Sequence, residues 1–146
     1  MQGLSWQGWA VLSAVFAALT AIFGKVGVEN VNSDFATFIR TGFIIVILAG
    51  FLAVTGQYQP LGAIPRNTWV FLGLSGVATG ASWLCYYRAL QLGEAARVAP
   101  IDKLSVLLVA VFGVLFLGER LSGLNWVGVA LIAAGAVLVA IKATPG

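Results

Sequence analysis

The sequence predicts an all-α integral membrane protein with five transmembrane helices. Hydrophobic residues make up 60% of the 146 residues and charged residues only 9%, whereas about 25% of the residues in an ordinary soluble domain are charged. The charges are also unevenly spread, because residues 1–24, 41–65, 67–87, 104–118 and 121–141 contain none. Crossing a hydrocarbon core about 30 Å thick takes about 20 apolar residues in a helix. These stretches therefore predict five membrane spans.

Soluble and secreted classes of protein fit this pattern poorly. A helix on the surface of a soluble bundle shows a polar face about every 3.6 residues, and these stretches show almost none. The start, MQGLSWQGW, lacks the basic segment of a cleaved signal peptide. The single cysteine, Cys85, forms no disulfide framework, and the net charge of +3 is too thinly spread for a nucleic-acid surface.

Local signals set the bounds of the first two helices. We place helix one at residues 6–28, with two tryptophans at the interfacial depth that indoles prefer. The polar segment NVNSD follows it, and Ser33 or Asp34 is expected to cap helix two by accepting its first backbone N–H groups. Helix two is placed at residues 35–56.

The last three helices are placed at residues 68–90, 95–117 and 123–142. Helix three follows the loop QYQPLGAIPRN, whose prolines and glycine break helices. The fourth charge-free stretch is short, so a full span must begin well before it and take Asp102 and Lys103 into the membrane.

A proline, Pro100, lies near the start of helix four. If the helix begins at Val98, the proline is an ordinary first-turn residue. If it begins near Ala95, the missing N–H and the ring clash bend the helix and free a carbonyl group. Either start offers polar backbone near Lys103.

Four charged residues fall at membrane depth: Lys25, Arg40, Asp102 and Lys103. An ionised side chain at the centre of a membrane helix costs about 2.5 to 3.5 kcal/mol on insertion scales, so it needs a partner, water or a function. We expect Asp102 to pair with Arg40 across helices two and four, which leaves Lys103 free to face a cavity. In the alternative, Lys103 reaches the headgroups or pairs structurally, as Lys25 is expected to do.

Helix three carries an aromatic cluster, Trp83, Tyr86 and Tyr87, at positions i, i+3 and i+4. Such a cluster either packs at the membrane interface or forms a wall against a bound solute. Gly76 and Gly80, on the same helix, form a small-xxx-small pair that lets another backbone approach closely.

Helix five carries a second pair of glycines. Gly128 and Gly135 lie seven residues apart, on one side of the helix. Close packing inside one subunit is one explanation for these small residues, and dimerisation through helix five is the other.

Several short motifs occur in a particular order. FGKVG ends helix one, FATFIR opens helix two, YYRALQLGEAARVAPI joins helices three and four, and LLVAVFGVLFLGERLSGLNWVGVALIAAGAVLVA follows. Together they resemble the EamA-like domain of the drug/metabolite transporter superfamily over nearly the whole chain. The resemblance implies a five-helix unit that usually occurs twice in one chain as an inverted repeat, and a role in moving small metabolites or drugs.

Only one copy of that unit, half of a ten-helix transporter, is present in this sequence. Transporters commonly bind substrate at the interface between two pseudo-equivalent repeats and rock one against the other. We therefore expect a homodimer, or a heterodimer with a related half-size subunit, working by alternating access in the lipid bilayer.

Basic residues predict the orientation. The face bearing the C-terminus holds Lys25, Arg40, Arg88, Arg97, Lys103 and Lys142, and the other face holds Arg66 and Arg120. Six against two places the C-terminus in the cytoplasm of a bacterial-type inner membrane. Lys25, Arg40 and Lys103 lie inside spans, and without them the count is three against two. Such a nearly even count permits one sequence to insert in both orientations.

Transport is the favoured class of function. The sequence has no histidine and no paired carboxylates suited to acid–base work, so we expect no enzyme activity, no metal and no cofactor. The alternative to a transporter is a non-transporting membrane subunit or a lipid-carrier flippase component.

The charges also predict the kind of substrate. Small multidrug exporters of the same superfamily use a glutamate within the first helix, whereas the first acidic residue here is Glu29, at the end of that helix. A lysine in a partly dry site favours a carboxylate or phosphate. We therefore predict an exporter of a zwitterionic or anionic metabolite, bound by Lys103, Trp83, Tyr86 and Tyr87.

Overall fold

Helices account for every regular element in residues 5–141, the part of the chain that the computed structural model describes. The elements are α1 (Trp6–Gly27), α2 (Ser33–Thr55), a 3-10 turn (Leu61–Ala63), α3 (Arg66–Leu92), α4 (Ala95–Asp102), α5 (Ser105–Phe116) and α6 (Gly123–Ala140). Five stretches are long and apolar enough to cross a membrane, α4 and α5 together making the fourth. The prediction of an all-α membrane protein with five spans is confirmed.

Most large apolar side chains are exposed. The exposed fraction is 89% for Val54 and 80% for Leu124, and many other apolar residues of the spans are more than half exposed. Soluble monomers rarely expose apolar surface on this scale. Lipid tails, by contrast, are as apolar as leucine and solvate it well.

The helix ends lie near their predicted positions, with one change of cap. α1, α2 and α3 begin and end within two residues of the predicted bounds. Asn32 Oδ1 accepts hydrogen bonds from the N–H groups of Asp34 at 2.9 Å and Phe35 at 3.1 Å, and so caps α2. The expectation that Ser33 or Asp34 is the cap was wrong, because Asn32 offers the same kind of acceptor earlier in the chain.

The last helix begins at the predicted residue. The Ser122 hydroxyl oxygen accepts from the N–H of Asn125 at 3.2 Å and caps α6. The predicted end at Lys142 lies outside the described residues.

The fourth span consists of two helices rather than the single helix predicted over 95–117. α4 ends before Lys103 and α5 begins after Leu104. Pro100 lies inside α4, so of the two starts considered for this helix the earlier one is observed. The N–H of Lys103 is shared between the carbonyls of Ala99 at 3.2 Å and Pro100 at 3.1 Å. Sharing of this kind is common at the end of a helix.

Contacts divide the chain into two compact units. One unit is residues 23–91, and in it Val28, Ser33 and Leu90 are fully buried. The other combines residues 1–22 with residues 92–146, and in it α4 and α5 both pack against α6.

The four glycines predicted to pack helices are open in this structure. A β-carbon added at Gly76, Gly80, Gly128 or Gly135 would meet no atom within 4 Å. Their role in helix packing stays a prediction, and their faces are accessible to lipid or to another subunit.

Candidate functional site

Hydrogen bonds join the ends of α1 and α3 within the 23–91 unit. Lys25 Nζ donates to the carbonyl oxygen of Leu90 at 2.8 Å. Gln91 Nε2 donates to the carbonyls of Val28 at 3.4 Å and Val31 at 3.1 Å. The last carbonyls of a helix lack partners within it, and a cation there also complements the helix dipole. These contacts tie the turn after α1 to the end of α3.

Two turns into α2, Arg40 lies against two aromatic rings of α3. Its guanidinium carbon is 4.0 Å from the ring centroid of Trp83 and 5.0 Å from that of Tyr87. A guanidinium over a ring face gains about 0.5 to 2 kcal/mol, the larger value where water is excluded. Tyr87 is buried, and the Tyr86 ring meets it edge-on with 6.3 Å between centroids. Two of the three residues of the predicted aromatic cluster, Trp83 and Tyr87, therefore contact the guanidinium group of Arg40.

The edge of this guanidinium has an unsatisfied donor. Arg40 Nη1 is buried and has no hydrogen-bond partner among the described residues. Neither carboxylate of the same unit, Glu29 or Asp34, forms an ion pair with it. An unsatisfied buried donor costs about 1 to 3 kcal/mol. A hydrogen-bond acceptor placed at Nη1 would remove this cost.

A groove of about 580 Å³ lies between α2 and α3. This volume is in the range of small-molecule sites, roughly 300 to 1,000 Å³. Its polar lining consists of one carboxylate and four hydroxyl groups, from Asp34, Thr37, Thr41, Ser75 and Thr79. Gly76 and Gly80 also line the groove and, lacking side chains, expose the α3 backbone to it. Trp83 borders the groove as well. The ring that holds Arg40 is thus part of the groove.

The hydroxyl groups on the α2 side are oriented by the helix itself. The Thr37 hydroxyl donates to the carbonyl of Ser33 at 2.9 Å, and the Thr41 hydroxyl donates to the carbonyl of Thr37 at 2.7 Å. A hydroxyl has one proton and two lone pairs. With their protons engaged in these bonds, the two oxygens can act only as hydrogen-bond acceptors toward other groups.

In the other unit, Asp102 and Lys103 pair with each other. Lys103 Nζ lies 3.0 Å from Asp102 Oδ2, and both side chains are partly exposed. A continuous helix would direct neighbouring side chains about 100° apart, but the helix is interrupted at this point. Of the two possibilities considered for Lys103, facing a cavity or reaching the headgroups or a structural partner, this contact matches the structural pair. The Arg40–Asp102 pairing and the substrate contact of Lys103 stay predictions.

Sequence reasoning missed the hydroxyl groups of the groove. A signal for them was present, because Thr37 and Thr41 are four residues apart, as are Ser75 and Thr79. Residues i and i+4 lie on the same face of a helix. Each pair therefore forms a short polar stripe inside an otherwise apolar span.

Five membrane spans and a groove between two of them, with a volume in the range of small-molecule sites, describe a multi-pass membrane protein. Comparison with protein families gives the family itself: residues 4–141 match the EamA-like transporter family, and the chain belongs to it. The resemblance based on short motifs is confirmed.

Several similar proteins are named as uncharacterized transporters. A protein of Sinorhizobium sp., called uncharacterized transporter in cobO 3'region, is 66% identical over 137 residues, which are 94% of this chain and 97% of that protein. The uncharacterized transporter YxxF of Bacillus subtilis is 27% identical over 92% of this chain, and an uncharacterized transporter of Vibrio cholerae is 34% identical over 87%. The matches cover only 42% and 40% of those two longer proteins. No solved structure matches the chain.

Proposed function

We propose that this chain exports a small zwitterionic or anionic metabolite across a bacterial-type inner membrane. The family and the names of its relatives support transport as the class of function. The observation that carries the proposal for this chain is the groove between α2 and α3, because it offers polar groups at the depth of two membrane spans.

The charges around the groove support a zwitterionic solute. Asp34 lines the groove and can accept from an ammonium group, whereas Arg40, on the ring of Trp83, offers a positive charge. The two residues are six positions apart on α2, about 9 Å along the helix axis. Arg40 lies outside the groove lining, but its guanidinium rests on Trp83, which borders the groove. We therefore propose that one small molecule in the groove meets Asp34 and reaches Arg40 beside that ring.

We also propose that the working unit contains a second copy of this chain or a related half-size subunit. The chain matches less than half of the Bacillus and Vibrio relatives, so those proteins have room for a second unit of the same size. Alternating access commonly works by rocking one repeat against another around a shared site. A second subunit would supply the missing repeat.

Counterflow in proteoliposomes tests the transport proposal directly. The purified chain is reconstituted into vesicles that are loaded with one unlabelled solute. Trace amounts of the same solute in radiolabelled form are then added outside. The assay is repeated for a panel of amino acids, organic acids and nucleobases. We expect at least one zwitterionic or anionic member to accumulate, and empty vesicles to accumulate none. If no member of the panel exchanges, the chain is a non-transporting subunit or a lipid-carrier flippase component.

A variant with a filled groove provides a matched control. Thr79→Trp places a large side chain inside the groove and should abolish counterflow, because the solute then has no room. Val77→Trp adds the same bulk to α3 at an exposed position outside the groove and should retain it. Equal activity of the two variants would place the solute path elsewhere.

A further inference from the structure

We infer that Arg40 is the anion-binding residue of this site, and that its Nη1 edge donates to a carboxylate oxygen of the bound solute. The inference rests on the proposed function, since it names the group that recognises the acidic end of the substrate. It starts from one observation: Nη1 is buried without a hydrogen-bond partner while the guanidinium face is covered by two rings.

Stacking and hydrogen bonding use different parts of a guanidinium group. The rings of Trp83 and Tyr87 attract the positive charge through the face of the plane. The N–H groups point outward from the edge, in a fixed fork that matches a carboxylate. The stack therefore leaves the edge donors unused and also fixes the plane in which they point.

An anionic acceptor fits this edge better than a neutral one. Arg40 stands within a membrane-spanning helix, and neither carboxylate of its own unit forms an ion pair with it. A hydrogen bond to an ionised acceptor is about twice as strong as one between neutral groups. A carboxylate would satisfy the donor and neutralise the charge at the same time.

Trp83 connects the groove to the guanidinium group of Arg40 and supplies a readout. Its ring borders the groove and also lies 4.0 Å from the guanidinium carbon. Because Nη1 is buried, an anion that engages it must displace a side chain that covers it, next to the Trp83 ring. Binding is therefore expected to change the fluorescence of Trp83.

The test uses the full chain in detergent, with benzoate and benzamide as probes that share shape and differ in charge. We expect benzoate to change tryptophan emission saturably and benzamide to leave it unchanged. Trp83→Phe should remove the change, and Arg40→Gln should weaken apparent benzoate affinity by at least about tenfold. Arg88→Gln, which removes an exposed arginine of α3, is the matched control and should bind benzoate like the wild type.

Several outcomes would overturn the inference. It is wrong if benzoate and benzamide behave alike, or if Arg40→Gln retains wild-type affinity. Should Arg40→Gln fail to fold, Arg40→Lys keeps the charge without the planar fork, and unchanged affinity in that variant has the same meaning. It is also wrong if the losses of stability in Arg40→Gln and Asp102→Asn are strongly non-additive in the double variant, because Asp102 is then the partner of Arg40.

Failure of the inference is distinguishable from failure of the proposed function. Binding in detergent needs no transport, so Arg40-dependent benzoate binding without counterflow would reject transport alone. Counterflow that persists at the wild-type rate in Arg40→Gln would reject the role of Arg40 alone.

Discussion

At Gly24, the missing side chain lets α1 lie close to Tyr87. A β-carbon at this position would be 3.2 Å from the Tyr87 hydroxyl oxygen and 3.3 Å from Leu90 Cδ1, both tight contacts. We predict that Gly24→Val lowers the free energy of unfolding by about 1 to 3 kcal/mol through overpacking. Gly27→Val, in the same helix but with open space around it, should change it by about 0.5 kcal/mol or less.

Thermal unfolding in detergent measures both glycine variants under the same conditions. Because Tyr87 also holds Arg40, Gly24→Val should in addition weaken solute binding, whereas Gly27→Val should not. Equal stability of the two variants would show that α1 does not approach α3 at this point.

Lys103 remains the second basic residue proposed to meet the substrate. We predict that Lys103→Ala folds and assembles normally but loses uptake, and that Lys103→Arg restores it only in part, because an ammonium and a guanidinium are not equivalent donors. Transport per correctly inserted molecule is the measurement. Normal transport by Lys103→Ala would leave its ion pair with Asp102 as its whole role.

At the scale of helices, the most specific feature is the attachment of α1 to the end of α3. We predict that Lys25→Met lowers the free energy of unfolding by about 1 to 3 kcal/mol, because the Leu90 carbonyl loses its charged donor. Lys25→Arg should retain most of the stability, since it keeps a charged donor. Arg66→Met, at the exposed first residue of α3, serves as the control for loss of a positive charge.

Chemical denaturation followed by circular dichroism would measure the Lys25 series. Transport should fall only mildly in Lys25→Met, because the contact stabilises a helix end and lies outside the groove lining. If Lys25→Met keeps full stability but loses transport, the substrate contact lies on α1 instead.

For the whole molecule, the proposed second subunit predicts that larger side chains on α6 weaken the association of subunits. Gly128→Leu and Gly135→Leu should weaken assembly, because each adds volume where backbones would approach. Gly50→Leu adds the same bulk to an open position of α2 and should not. Single-molecule photobleaching in lipid vesicles counts the subunits, and a strictly monomeric particle that still transports would contradict the proposal.

The orientation of the chain is tested by labelling single cysteines. In a background with Cys85→Ser, we expect a membrane-impermeant reagent added outside to label Arg120→Cys but not Arg97→Cys, because the basic residues favour a cytoplasmic C-terminus. Labelling of both sites from outside would instead show that the chain inserts in two orientations.

The sequence by itself determined the number of spans, the membrane environment and the family. These follow from the lengths of apolar stretches and the order of short motifs, both of which are local properties. The aromatic residues Trp83 and Tyr87 could be singled out in the same way, because their spacing on one helix reports a shared face. The hydroxyl stripes carried the same signal.

Only the tertiary structure decided which side chains meet across helices. It placed Arg40 on Trp83, Lys25 on the Leu90 carbonyl, and a polar groove between α2 and α3. The start of α4 was also decided there, since the proline permitted two starts and the N–H groups of Arg97 and Val98 bond the carbonyl of Glu94, which places the start at Ala95. The interruption before α5 is likewise seen only in the structure. Distances between helices depend on how whole faces pack, which a periodic pattern along one chain segment does not encode.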